Sequence, residues 1–551
     1  MLKDPFSHVK MDKRVFWPVF IVLLAIIIPV AASKEAASAM ISAAFNWSTI
    51  PFGWAYLVFC LFCFLVLLYW AAGRYGNVRL GGPDDEPEFK WFTWVAMLFC
   101  AGIGGGVLSW GFYESVNFLD GAPLDIGTLY AIDATAGTGY NMVGSAKALI
   151  FEYAHMYPMF HWGFSAWAIY CIPTVPIAYM LFVRKRNVLR LSTACEPILG
   201  KYSRGPVGVI IDIFVVFGIV GAVGTTLAIA VPTVTGLAQA AFGLEVSNTG
   251  WIVYAVIGIW FAIFGTSVFL GLSKGIAKLS DINLYLALIF ILFILIVGLF
   301  RGYTSFIFNL TTNSFGLMLS DFFRISLWTD PYSVLSDGAS FPQWWTIFYW
   351  AWWLAYAPMM GLFVARISKG RTIRQLVVAE LVWGTIGTNT MFAIMGGYSM
   401  YLEWTGTMPL TEALAELGNV GTIVAVLETL PLTIPLMILY VVLLFIFVST
   451  TIDSSAYTIA SVCSKDLKAE DQPARWHRLF WAVFLAALAI VLYGLEVQGV
   501  IQTLSLVAAV PLIPIFVILV LSGNKMLRED FGLDPKTTIL STTKYDEAKA
   551  E

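Results

Sequence analysis

Charge is what this chain has least of. Only 12% of its 551 residues are charged, and 59% are hydrophobic. An ordinary soluble domain carries about 25% charged residues, so no water-facing surface of this size can be built here. Histidine is nearly absent, four in all. Only His155 and His161 lie near the membrane core, and neither stands in a motif that suggests a metal cluster or a base beside a nucleophile. The chain is therefore read as no enzyme. The six cysteines, Cys60, Cys63, Cys100, Cys171, Cys195 and Cys463, mostly lie inside apolar runs, where a thiol behaves as a small hydrophobe. Cys60 and Cys63 have CxxC spacing but sit mid-run, and no disulfide framework emerges. A net charge of −3 offers no basic surface for nucleic acid. A repeated filter sequence of the kind channels use is also missing.

What the chain has instead is apolar runs long enough to span a bilayer. Twelve spans are expected, at 15–33, 51–73, 91–118, 158–182, 206–240, 250–272, 281–301, 342–366, 375–402, 430–462, 477–496 and 499–523. The first follows Lys10, Lys13 and Arg14. It is longer than a signal-peptide core and has no small-residue cleavage site before a soluble domain, so it reads as a retained helix. The basic residues test the count. They cluster before span one and after spans two, four, six, eight, ten and twelve, whereas 403–430 holds no Lys or Arg. That alternation places both termini on the cytoplasmic side. An interfacial helix is expected at 317–327 and a second on the same outer side at 411–429.

Three segments suggest chemistry. In span three, Gly102, Gly104, Gly105 and Gly106 fall within five positions, enough to weaken or unwind a helix. Unwound backbone at membrane depth offers N–H groups to a carboxylate and carbonyls to a cation; close packing through small residues is the other reading. Spans four and eight carry HWGFSAWAIY from His161 and WWTIFYWAWWLAYAP from Trp344. Trp344 and Trp345 suit an interfacial belt, but Trp350, Trp352, Trp353 and Tyr356 lie deeper. A tetraalkylated nitrogen has no N–H to donate, whereas several ring faces can hold it at about 0.5–2 kcal/mol each. Span ten carries FVSTTIDSS from Phe447. Its hydroxyls can bond back to their own helix or complete the oxygen shell of a small hard cation, and Asp453 adds a carboxylate at membrane depth.

Together these segments resemble the betaine/carnitine/choline transporter (BCCT) family, over nearly the whole chain and most closely from Trp345 to Arg374. The resemblance implies an all-α polytopic protein with a LeuT-like core of two inverted five-helix repeats. Two peripheral N-terminal helices (15–73) would follow a tail of 1–14. The repeats would occupy 91–301 and 342–523, separated by an external loop at 302–341, with a short C-terminal tail at 524–551. It further implies a multi-pass protein of the bacterial inner membrane and a homotrimer. Carried over by position, Trp162, Trp167, Tyr170, Trp352, Trp353 and Tyr356 would form or flank a cage for an onium substrate. Gly102, Gly104 and Gly106 would form the unwound stretch. A sodium ion would take backbone oxygens near Cys100, Ile103 and Phe447 and the hydroxyls of Thr450 and Thr451.

The chain departs from the family pattern in places. Tyr356 stands where many betaine carriers have Trp. Met359 and Met360 after Pro358 offer no hard ligand, which speaks against a second sodium site there. In span five Gly221 offers none, although Thr225 and Thr226 do. Asn283 is neutral where the carnitine-exchanger branch looks basic, and no Lys or Arg falls deep in spans three, five, eight or ten. Sodium symport of a quaternary-ammonium zwitterion is the expectation. Sodium-independent exchange, or amino-acid transport on the same core, stays open on the residues alone.

Overall fold

A computed structural model describes residues 9–531 apart from 103, 120–141, 187–188, 245–249, 271–275, 466, 468–470 and 495–497. The described residues hold helices and two isolated bridges, with no strand. In a bilayer the helix satisfies its own backbone groups, so this is the architecture the composition demands. Among the described residues nine helices are long and apolar enough to cross a membrane, and eight of them coincide with expected spans. The other four expected spans also fall on helices. These are Lys13–Ala32, the pair Trp91–Gly102 and Gly104–Trp110, Gly250–Leu270 and Arg475–Gly494.

The ninth candidate, Leu410–Glu428, is broken at Gly418, whose φ of +66° no helix contains. Neither half then reaches the length of about 20 residues that a crossing needs. This fits the outer interfacial segment expected at 411–429. The helix expected at 317–327 is longer, running Thr304–Leu327. A helix at Lys34–Thr49, between spans one and two, was not expected.

Contacts between loops test the alternation of basic segments. Loop 74–90 is joined to the turn after span eight: Leu80 N–H donates to Arg371, Gly370 N–H to Leu80 and Ile373 N–H to Val78. The Arg371 guanidinium sits 4.6 Å over the Trp94 ring and donates to the Phe89 carbonyl at 2.6 Å. The N-terminus meets the segment after span ten through Asp12 N–H to Cys463 and Lys465 N–H to Lys10. Leu189 N–H reaches Leu467, and Arg184 binds Glu529 and Asp530 beyond span twelve. These basic loops therefore share one face. Other contacts define the opposite face. Arg301 donates to Thr429, Phe45 stacks on Trp344 and Asn313 donates to Glu152.

The packing of spans three to twelve has an internal equivalence. Span four packs on eight as nine packs on three; span five packs on eleven and twelve as ten packs on six and seven; span eight packs on twelve as three packs on seven. Spans five and ten pack on each other, as do six and eleven. Span three begins on the basic face and span eight on the opposite one, so the two sets of five run in inverted sense. Spans one and two lie outside, against spans five and four. At the centre, span eight (within Gln343–Ile367) is buried along all of its apolar window, whereas span seven is 33% buried and faces outward.

Candidate functional site

Span four is two helices, Met142–His161 and Phe164–Ala178, that meet at Gly163. Its ψ of −141° is non-helical. This break turns Trp162 toward span three and span eight. The Trp162 ring lies 4.7 Å from Trp353 and 6.0 Å from Trp352, edge-on to both. Trp352 and Trp353 stack at 4.8 Å. Tyr170 approaches Trp353 at 5.8 Å and Tyr356 at 6.3 Å, and Trp352 reaches Tyr356 at 6.5 Å. All five are buried, so none of these rings faces lipid. Trp167 stands apart. It stacks on Phe99 at 6.2 Å and closes against Gly384 of span nine, touching the cluster only through Tyr170 at 6.0 Å. It flanks the cage.

The glycines of span three lie under these rings. A Cβ on Gly106 would sit 2.5 Å from the Trp162 indole, and one on Gly102 would sit 2.8 Å from the Met360 sulfur and 3.1 Å from the Tyr170 ring. Close approach, the structural use of glycine, is thus what brings aromatic faces onto the span-three backbone. The residues up to Gly102 and from Gly104 are helical; Ile103 between them lies outside the described residues.

The N–H edges of the indoles are bound to the scaffold, which fixes their faces. Trp162 Nε1 donates to Glu114 Oε2 at 2.8 Å, Trp352 Nε1 to the Ala222 carbonyl at 3.1 Å and Trp353 Nε1 to the His161 carbonyl at 3.0 Å. Tyr356 Oη and Thr226 Oγ1 share a hydrogen bond of 2.7 Å. His161 does have partners after all, Glu114 Oε1 at 3.4 Å and Thr346 Oγ1 at 3.0 Å.

Two members of this centre escaped the sequence reading. Glu114 is a fully buried carboxylate near the end of span three, and the rule for intramembrane acids would have found it. Tyr349 stacks on Trp353 at 5.6 Å and lies 4.8 Å from His161. It stands three, four and seven residues before Trp352, Trp353 and Tyr356, a helical spacing that marks a common face.

Below the cage, span ten meets span three. Thr450 Oγ1 donates to the Cys100 carbonyl at 3.3 Å and to its own Phe447 carbonyl at 2.8 Å. Thr451 Oγ1 reaches the same Phe447 carbonyl at 3.1 Å. Four of the five expected oxygens are therefore together, all neutral and hard, a donor set that fits a small monovalent cation. Both threonines also make the back-bonds of ordinary helical hydroxyls. Asp453 pairs with Arg478 of span eleven at 2.6 Å, both side chains buried. Met359 Sδ accepts from the Ser455 hydroxyl at 2.8 Å.

A buried aromatic cluster between inverted helix sets fits a secondary transporter. The family model described as betaine/carnitine/choline family transporter, BCCT, matches residues 14–532. The chain belongs to this family, whose members carry betaine-, carnitine- and choline-type substrates and are not enzymes.

Proposed function

We propose that the protein takes up a quaternary-ammonium zwitterion, carnitine or glycine betaine or a close relative, by sodium symport and alternating access. The single observation that carries the coupling is the approach of the Thr450 hydroxyl to the Cys100 carbonyl across spans ten and three. A sodium ion gathering those oxygens ties the glycine-rich segment to span ten. That segment backs the cage through Gly102 and Gly106, so ion binding and cage geometry share one element. The cage holds the onium by its ring faces, and backbone N–H groups near the glycines receive the carboxylate. Asn283, neutral and buried beside this region, supplies no fixed cation in place of the ion. Following the family, the protein works as a homotrimer in the bacterial inner membrane, with both termini and the basic face cytoplasmic.

The test is uptake into proteoliposomes with and without an inward sodium gradient. Uptake should require sodium, and replacing Thr450 and Thr451 with Ala should raise the half-saturating sodium concentration at least tenfold. Full uptake without sodium would instead establish exchange.

A further inference from the structure

On the basic face lies a bowl of about 790 Å³ that the substrate path does not use. It is framed by the start of span one, the loop between spans four and five, the start of span five and the residue after span ten. Six cationic side chains line it, Arg14, Lys185, Arg186, Arg190, Arg204 and Lys465, against three carboxylates, Asp12, Glu196 and Asp212. The carboxylates are already engaged. Arg190 bridges Asp12 at 3.0 Å and Asp212 at 3.3 Å, and Arg14 holds Asp12 at 3.1 Å. Glu196 accepts from Arg186 at 3.2 Å and Arg204 at 2.6 Å. Burial alone would raise the Asp12 carboxyl, but its hydrogen bonds from Arg14 and Arg190 hold it down at about 2, so it stays anionic and its arginines stay bound.

Among the described lining residues the cations outnumber the carboxylates by three. Lys185 and Lys465 are exposed and enter no ion pair among the described residues. Lys185 is also held at φ +51°, a conformation that side chains disfavour and that persists where the surroundings impose it. The 37-residue helix Pro206–Phe242 opens into the same bowl. Gly205, Gly208 and Val209 line it, and its cap provides no side-chain acceptor. Uncapped N–H groups and the helix dipole add to the cationic lining. The hydroxyl of Thr193 also lines this wall, whereas that of Ser192 donates to Asp212 at 3.0 Å.

We propose that this bowl binds a phosphate-bearing anion, and that the anion is the headgroup of an anionic phospholipid in the adjoining leaflet. Charge-assisted donors from several arginines and lysines suit phosphate oxygens. The source follows from the rim. Val207 and Ile210 on span five are 39% and 52% exposed, and Trp17, one turn from Arg14 on span one, is 46% exposed. Spans one and five pack together here, so acyl chains can lie along these apolar side chains while the headgroup enters the bowl. A soluble phosphate has no use for that rim.

The experiment measures the thermal stability of the full-length detergent-solubilised protein while phosphatidylglycerol, phosphatidylcholine or inorganic phosphate is titrated in. Phosphatidylglycerol should raise the midpoint and phosphatidylcholine should not, with the response weakening as salt rises. Lys185→Gln and Lys465→Gln should each lower the apparent affinity for phosphatidylglycerol about fivefold, whereas Lys→Arg at either position should preserve it. An equal response to the two lipids, or an unchanged phosphatidylglycerol response in the Lys185→Gln/Lys465→Gln double variant, would overturn the site. An equal shift from inorganic phosphate would overturn the lipid as its source.

Discussion

At the scale of single residues, Trp162 is fixed at both ends. Its indole N–H is bound to Glu114, and its carbonyl accepts from Thr388 at 2.7 Å. Its ring is thereby set edge-on to Trp352 and Trp353, leaving little freedom to lose on binding, and preorganisation of this kind supports affinity. Removing one ring face from an onium site costs about 0.5–2 kcal/mol. Trp162→Leu and Trp352→Leu should therefore each weaken substrate binding by about 2- to 30-fold, by calorimetric titration, in protein that still elutes as a folded species. Unchanged affinity in both would remove the cage. Glu114 acts one step back. Glu114→Ala leaves a buried indole N–H without an acceptor, at a cost of about 1–3 kcal/mol, and affinity should fall by about tenfold or more. Glu114→Gln keeps a carbonyl acceptor and should stay within about threefold of the parent. If Gln is as damaging as Ala, the carboxylate contributes charge to substrate binding, not orientation of Trp162.

At the scale of elements, the sequence left two roles for the glycine tract as competitors, close packing and unwound backbone. The structure assigns close packing to Gly102 and Gly106, under Tyr170 and Trp162, while Ile103 between them lies outside the described residues. In an isolated helix Gly→Ala is favourable by about 1 kcal/mol. Here the new methyl meets the Trp162 ring at 2.5 Å. Gly106→Ala should thus lower substrate affinity severalfold while leaving the melting temperature within a few degrees of the parent; unaltered affinity would mean that the ring has room the distances deny it.

The spans were legible because hydrophobic length is a local property of the chain. The aromatic cluster was legible because aromatic residues at depth are rare and fall at helical spacing. The Asp453–Arg478 pair was not, since it joins spans ten and eleven and no local pattern announces a partner 25 residues away. The helix Lys34–Thr49 was missed for another reason. It is rich in Ala and Ser, its apolar face is short, and part of what fixes it is the distant ring of Trp344, stacked on Phe45 at 4.2 Å.

At the scale of the whole molecule, two independent lines define its sidedness. Basic residues alternate along the chain, and the basic loops bind one another in space. Neither line needs the other, because a chain with one span too many would carry Lys369 and its neighbours to the face opposite Arg79. Instead Arg79 donates to the Gly370 carbonyl at 2.8 Å, and loops 74–90 and 366–372 close as one unit. The loop 302–341 lies on the other face, where Leu335 is 87% exposed. On the orientation proposed above, the first face is the cytoplasmic one. All six native thiols are buried, so a membrane-impermeant thiol reagent has little to react with in the parent chain. Lys369→Cys removes only a half-exposed ion pair with Asp85 at 3.7 Å, a contact of small energetic worth. In intact cells Leu335→Cys should label and Lys369→Cys should not; in inside-out vesicles the pattern should reverse. Labelling of both from one side would break the twelve-span count, and with it the inversion that sets span eight opposite span three around the cage.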